Sequence, residues 1–341
     1  MRPLTVLLTA AGVPGSPALI RALRENGERE VRLVGTDMSE LAIGRHLCDS
    51  FHVVPAGGGP GFVDTLVAIC DRERVDAVLP QSSYELQALA ESKERFGEAT
   101  VLVASTEAVR RSNDKAETYG LLDAIGVRGP AWRRVGASEV AGAARELGYP
   151  DEDVAFKPLV SSGSRGFRIV SAAADRRRQL LENRPGVAEA LRLEELVELL
   201  GDDKTEALVM ELARGPERTI DGIARGGRIV LGHPKTREEM RAGLAMYFQT
   251  LDDPELMDVA ARIARELELD HFFNIQLVGE SVIEINPRIS TVVFQEDLNF
   301  PYLGVKHALG ELDDDELAAY AGRVRPTRKA LRYFDQVEWD S

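Results

Sequence analysis

Residues 273–290, Phe-Asn-Ile-Gln-Leu-Val-Gly-Glu-Ser-Val-Ile-Glu-Ile-Asn-Pro-Arg-Ile-Ser, carry four polar side chains spaced as a site would need them. Residues two apart on a strand share a face, so Glu284 and Asn286 point one way while Ile283 and Ile285 are expected to fill the core behind them. With a turn centred on Glu280, Gln276 falls opposite Glu284, within the roughly 5 Å of a cross-strand pair. Three oxygen donors of this kind suit a hard cation such as Mg2+, which takes its other ligands from water and phosphate. Pro287 stops the ladder, and the guanidinium of Arg288 just beyond it can hold a phosphate or carboxylate through two parallel hydrogen bonds. The competing reading of the same pattern is an exposed polar strand edge.

Phosphate chemistry is legible at three further points. Ser112-Asn-Asp-Lys115 caps a helix through Leu122, and Lys115 stands in its first turn, where the helix terminus is already positive. Val154-Ala-Phe-Lys157-Pro puts a lysine at the end of a short apolar strand. Ser161-Ser162-Gly163-Ser164-Arg165-Gly166 follows, before a new strand from Phe167 to Val170. Small residues let backbone amides cradle phosphate oxygens while Lys157 neutralises charge. This is not a Walker A loop, because no G-K-[ST] follows and no helix opens after the glycines; the competing reading is a simple flexible hairpin turn. The strand Ala207 to Leu212 then breaks at Ala213-Arg-Gly-Pro-Glu217 before the strand Arg218 to Ala224. That break leaves backbone groups free for the edge of an adenine ring, with Glu217 placed for ribose hydroxyls.

The elements that must position these groups fall into two patterns. Residues 1–110 alternate strand and helix: strands at Thr5–Ala10, Val31–Gly35, Phe51–Val54, Ala77–Leu79 and Val101–Ala104, and helices carrying Leu19, Ile20 and Leu23, then Phe62–Arg72 and Tyr84–Phe96. That alternation predicts a Rossmann-like wound parallel sheet. Its Gly12-Val-Pro-Gly15 turn lacks the G-x-G-x-x-G spacing of a dinucleotide site. The expected use of this part is to wall off a substrate pocket with Gly12–Ser16, Asp37 and Gln81–Glu85. From about residue 111 a second unit begins, with a charged helical stretch at Glu182–Asp203. The chain of 341 residues, 44% hydrophobic and 29% charged, is long enough for two or three cored domains. Its net charge of -14 argues against nucleic acid or an anionic membrane as a partner. Cys48 and Cys70 make no disulfide framework, and no Cys/His cluster has zinc spacing. The apolar run Leu4–Ala11 is too short for a signal peptide or a membrane span, so cytoplasmic residence is the default expectation.

In order, Asn113-Asp-Lys115, Phe156-Lys157-Pro, the 161–166 loop, Met210-Glu-Leu-Ala-Arg-Gly-Pro-Glu217, Gln276 and Glu284-Ile-Asn286-Pro-Arg288 resemble the ATP-grasp superfamily. The closest resemblance is to its carbamoyl-phosphate-synthase-like branch of stand-alone carboxylate–amine ligases, and it spans nearly the whole chain, including Asn299–Gly310. It implies an α/β protein: a Rossmann-like pre-ATP-grasp domain (1–110), an α+β ATP-grasp domain (111–330) with a mobile lid subdomain at about 150–210, and a tail (331–341). By position, Lys115 and Lys157 would hold ATP phosphates, with Ser161, Ser162, Gly163, Ser164 and Gly166 as the lid loop over them. Met210, Glu211, Leu212 and Ala213 would be the adenine hinge, and Glu217 would bind ribose. Gln276, Glu284 and Asn286 would hold Mg2+, with Mn2+ as a substitute, and Arg288 and Lys157 would be catalytic.

The resemblance implies ATP-dependent activation of a small-molecule carboxylate to an acyl phosphate, which an amine converts to an amide with release of phosphate and ADP; it also admits a homodimer. Formation of carbamoyl phosphate or carboxy phosphate is the alternative within the family, and a non-catalytic nucleotide-binding module or a dehydrogenase the alternative outside it. Departures from the family pattern are Ser290-Thr291 where Ser-Gly is frequent, Arg218 where an aromatic is usual, and an insertion between Val170 and Ala207; the first two bear on the substrate side. His233, Lys235, Arg237 and Arg241 are expected in a polar connection after a strand Arg228–Leu231. Each is a candidate for the substrate carboxylate, with solvated surface charge the simpler reading. His271 is expected to be structural.

Overall fold

In a computed structural model of the chain, which describes residues 2–159, 166–182, 190–202, 204, 206–241, 244–290 and 295–339, three sheets carry the fold. The first is parallel: β1 (Leu4–Leu8), β2 (Val31–Asp37), β3 (Ser50–Val53), β4 (Ala77–Leu79) and β5 (Thr100–Val101), in the order β3-β2-β1-β4-β5. Helices on both faces make its central strand apolar except at half-buried Thr5, and Leu4, Val6, Leu7 and Leu8 are sealed from solvent. The helix Ser16–Arg24 buries Leu19, Ile20 and Leu23, the positions its periodicity marks. Each such side chain contributes about 1.5–3 kcal/mol on burial. Strand order reverses beside β1, and ligands of wound sheets bind at the carboxyl ends flanking that reversal, here residues 9–16 and 81–85.

One expected helix is divided. Tyr84–Phe96 is a helix at Leu86–Glu91 and a 3-10 turn at Lys93–Phe96, because Ser92 leaves the helical region at φ −122° and lets Phe96 turn into the core.

The second sheet comprises β6 (Trp132–Val135), β7 (Val154–Pro158), β8 (Arg168–Val170), β9 (Ala190–Leu191) and β10 (Ala207–Glu211), ordered β6-β10-β7-β8-β9. The stretch expected to be helical and charged, Glu182–Asp203, comprises among its described residues the end of a helix Arg176–Glu182, the strand β9 and a helix Leu193–Leu200, with 183–189 and 203 outside the described residues. β9 exists because Gln179 clamps Ala190 through both of its backbone groups, at 2.8 and 3.1 Å. Leu191, Leu193 and Leu196 then enter the core of Val154, Phe156 and Val209.

The third sheet holds β11 (Glu217–Arg225), β12 (Arg228–Arg241), β13 (Leu244–Gln249), β14 (His271–Val278), β15 (Ser281–Asn286) and β16 (Lys329–Leu331), ordered β15-β14-β11-β12-β13-β16. Behind it Ile220, Ile275 and Ile285 pack in one core with Leu256, Ala260 and Ile263 of the helix Pro254–Glu266. β12 corrects a second expectation. His233, Lys235, Arg237 and Arg241 stand on this long strand, not in a connection, and His233 and Lys235 are buried rather than solvated. The helix Phe300–Ala308 ties this sheet to the first: Asn299 Nδ2 donates to the Ala22 carbonyl and Lys306 pairs with Glu28 at 2.7 Å. No helix of the described residues is long and apolar enough to cross a membrane.

Candidate functional site

The front face of the third sheet is a polar grid. In register across β12, β11, β14 and β15, one row reads Lys235, Thr219, Gln276, Glu284 and the next His233, Asp221, Asn274, Asn286. Directly paired residues share a face, as do residues two apart, so all eight side chains project from one side while Ile220, Ile275 and Ile285 project from the other. Gln276 does fall opposite Glu284.

The hairpin departs from the expected alternation at one residue. Pairing slips after Gln276, where Leu277 meets Val282, so Ile283 is a bulge. Val282 is fully buried in the core, whereas Ile283 turns to line a cleft beside Glu284. Ile285 fills the core as expected.

That cleft encloses about 730 Å³, inside the range of small-molecule sites. Lys157 comes to it from the end of β7. Met210, Glu211, Leu212 and Ala213 line it where the β10 ladder stops, and Glu217, Gln276, Glu284, Asn286 and Arg288 line it from the third sheet. Lys115 is the first residue of the helix Lys115–Ala124, whose N-cap Asp114 accepts from Ala116 and Glu117 N–H. Its ammonium reaches Glu284 Oε1 at 3.1 Å, and Tyr119 on the same helix donates to the Ile283 carbonyl at 3.0 Å. Gly166 is not among the lining residues, although its neighbour Phe167 is, and a Cβ at Gly166 would meet the Pro158 ring. Ser161, Ser162, Gly163 and Ser164 lie outside the described residues. A larger open cleft of about 1030 Å³ lies behind the Glu211–Gly215 turn, but it contains none of Lys157, Glu284 or Arg288.

Electrostatics single out three groups. Burial and the neighbouring Lys115 push Lys157 down to about 8, with Glu284 opposing. Burial works against the charge of Glu284, yet Lys115 and Lys157 outweigh it and hold the carboxyl at about 2. Arg288 is lowered by burial against the pull of Glu284, Glu85 and Asp221, and a guanidinium stays charged regardless.

Sequence reasoning missed the loop that supports Arg288. Ser83, from the carboxyl end of β4, accepts from Arg288 Nε at 3.2 Å and donates to Asn286 Oδ1 at 3.4 Å, while Asn113 Nδ2 donates to its carbonyl at 3.3 Å. Buried Glu85 fixes this loop by accepting from the backbone of Gln81 and Ser82 and from Thr9. Of the residues expected to wall the pocket, Val13–Gly15 and Gln81–Tyr84 line the cleft, whereas Gly12, Ser16, Asp37 and Glu85 do not. The grid residues Asn274, Thr219 and Asp221 were missed as well. Their signal was polar residues at period two inside otherwise apolar strands, Asn274-x-Gln276 and Thr219-x-Asp221. Glu217 is paired with Arg237 at 3.4 Å, and Arg218 donates to the Gly279 carbonyl, bracing the hairpin turn.

Residues 203–330 match the family described as "ATP-grasp in the biosynthetic pathway with Ter operon", and residues 6–104 match "PylC-like, N-terminal domain". No curated protein matches the chain. Among solved structures it is similar to a biotin carboxylase–ATP complex from Campylobacter jejuni, at 16% identity and TM-score 0.65, over 92% of this chain and 72% of that one. It is also similar to an L-amino acid ligase from Bacillus licheniformis, at 14% identity and TM-score 0.65, over 96% and 79%. A third is the biotin carboxylase domain dimer of the Hydrogenobacter thermophilus 2-oxoglutarate carboxylase, crystallised with MgADP and bicarbonate, at 16% identity and TM-score 0.63, over 89% and 69%. At these identities the likeness is one of fold.

Proposed function

This chain belongs to the ATP-grasp superfamily, and on that premise we propose that it is an ATP-dependent ligase joining a small carboxylate to an amine. The observation that carries the proposal is the convergence of Lys157, Arg288 and an ionised Glu284 at one cleft, with Lys115 bonded to that carboxylate, beside the open end of the β10 ladder. Residues 1–110 serve in this reading as the substrate wall and residues 111–330 as the nucleotide-binding unit.

Gln276, Glu284 and Asn286 fit a magnesium ion by the chemistry of their donors. Among the described residues no three His, Cys, Asp or Glu side chains group as a metal site, so the protein offers one carboxylate and two amide oxygens. Such a sparse all-oxygen set suits Mg2+ completed by nucleotide phosphates, and Mn2+ in its place. When bound, the ion draws negative charge off the phosphates.

The chain's own residues do the rest. The backbone edge at Met210–Ala213 takes the adenine and Glu217 the ribose. Lys115 and Lys157 set positive charge where the triphosphate lies, and Arg288 faces the transferred phosphoryl group. A carboxylate oxygen attacks the γ-phosphorus as the bond to the β-phosphate oxygen breaks, giving ADP and an acyl phosphate. The amine nitrogen then attacks the acyl carbon, phosphate departs, and the nitrogen releases a proton. Loops 13–15 and 81–84 limit water at the intermediate.

The test is phosphate release from Mg-ATP against pooled amino acids, small carboxylates and bicarbonate, with Glu284→Ala run in parallel. Release that needs a carboxylate and an amine together and is lost in the variant is the expected result. Turnover with bicarbonate alone moves the chain to carboxy-phosphate formation, and tight ATP binding without turnover makes it a nucleotide-binding module.

A further inference from the structure

Beneath the amides of Gln276 and Asn286 a buried ion pair leads into a chain of hydrogen bonds whose direction is fixed from that end. Lys235, 1% exposed, has only protons to give, and its Nζ lies 2.5 Å from Asp221 Oδ2. Asp221, 3% exposed, has only lone pairs, and its Oδ1 accepts from Asn274 Nδ2 at 3.0 Å. The second Nδ2 proton goes to Thr219 Oγ1, whose own proton is committed to the Ile275 carbonyl at 3.0 Å. Both protons of Asn274 are therefore used, and its Oδ1 can only accept. It accepts twice, from Gln276 Nε2 at 3.2 Å and Asn286 Nδ2 at 3.4 Å.

An amide whose nitrogen is held inward presents its oxygen outward. We infer that Lys235, Asp221 and Asn274 are positioning residues that set the amide orientation of Gln276 and, together with Ser83 and Arg288, which donate to Asn286 Oδ1 at 3.4 and 3.5 Å, that of Asn286, so that two carbonyl oxygens and not two NH2 groups face the cation. The inference rests on the magnesium reading of Gln276, Glu284 and Asn286. It goes beyond that reading by assigning the buried ion pair, which does not line the cleft, a function in ligand polarity. Packing alone does not require it, since a buried pair is often no more stabilising than apolar residues of equal volume.

Moving one charge tests the idea. In Asp221→Asn the ammonium of Lys235 still demands an oxygen, so the new NH2 faces Asn274, turns it over, brings the nitrogen of Gln276 to the cation and works against the Ser83 and Arg288 bonds that hold Asn286 Oδ1 outward. Asp221→Asn combined with Asn274→Asp restores an acceptor-only group beneath both amides and returns their oxygens to the cleft. Mn2+ affinity is measured calorimetrically on the full chain in the presence of ADP, with thermal unfolding recorded for each variant. Loss of an orienting partner typically costs about 10–100-fold in metal affinity, which is the loss expected for Asp221→Asn. The double variant is expected within about threefold of wild type on the same scale.

Equal Mn2+ affinity of Asp221→Asn and wild type overturns the inference. So does a folded double variant no better than the single one, since a merely structural pair would not be rescued by a displaced carboxylate. Should Asp221→Asn alone not fold, the double variant decides: recovered folding and cation affinity support the relay, and a folded chain without affinity or a chain that stays unfolded refutes it. A wild type that binds no Mn2+ with ADP removes the magnesium reading itself, an outcome separate from failure of the relay.

Discussion

Lys157 is held in a position that costs the ligand-free protein stability, and the cost is measurable. Its ammonium is pressed from an ordinary value of 10.5 to about 8 by burial and by Lys115. That gap corresponds to about 3 kcal/mol at neutral pH, where the group is charged in both the folded and the unfolded chain. Lys157→Met keeps most of the side-chain volume and removes the charge, so the ligand-free variant is expected to be more stable by roughly 1–3 kcal/mol, a rise of about 2–6 °C in unfolding midpoint. The gain must also depend on pH. Between about 8 and 10.5 the folded wild type has released a proton that its unfolded chain still holds, so wild-type stability climbs with pH and the advantage of the variant shrinks. Below 8 the advantage is complete. Mg-ADP, in contrast, should raise the wild-type midpoint well above that of the variant, and phosphate release should fall by about 10²–10³-fold. Thermal unfolding from pH 6 to 10, with and without Mg-ADP, reads all of this. A variant less stable than wild type at pH 7, or an advantage unchanged at pH 10, would refute the reasoning.

The partner carboxylate should behave oppositely. Glu284→Ala leaves Lys115 and Lys157 facing each other, and a lower midpoint by roughly 3–5 kcal/mol is expected alongside lost turnover; a stabilised variant would contradict the ion pair. Because Lys115 sits on the oxygen that a cation would use, Mn2+ titrated into the ligand-free protein should bind at least about tenfold more weakly than with ADP present, with equal reciprocal coupling. Identical Mn2+ constants in calorimetry would exclude this. Gly279 has φ +58°, and a Cβ there would stand 2.4 Å from the Arg214 carbonyl oxygen, so Gly279→Ala should cost about 1–3 kcal/mol and weaken ADP binding. Gly120→Ala, on a helix with nothing within 4 Å of the added methyl, should gain about 0.5–1 kcal/mol and is the control for thermal melts.

What the sequence disclosed and what it hid divide along physical lines. The wound sheet was legible because parallel strands buried on two faces must be apolar throughout and the intervening helices periodic. The cleft residues were legible where local geometry places them, Lys115 at a helix start and Lys157 at a strand end, whereas the Gln276–Glu284 pairing expected from a turn centred on Glu280 is reached through a turn joining Val278 to Ser281 and the bulge that follows it. The bulge at Ile283 was not, since one unpaired residue in a strand leaves no mark on alternation that a second isoleucine does not also satisfy. β12 was misread because buried lysines and histidines imitate surface ones until their neighbours are known, and Asp221 and Phe300 lie far from them in sequence. The short strand β9 was hidden within a charged run because its pairing is dictated by Gln179 and the edge of β8, a contact between elements.

The hydroxyl of Ser83 touching Arg288 has a consequence for engineering by recombination. A graft that exchanges the N-terminal sheet for that of a relative would ordinarily be planned as a change of substrate wall, leaving the reaction centre intact. Here the loop 81–85 belongs by sequence to the wall and by hydrogen bonding to the guanidinium. On the proposed ligase reading, any such chimera would change acid recognition and phosphoryl handling together, and the crossover that keeps them separate would carry Gln81–Glu85 with the hairpin, not with the strand that precedes it.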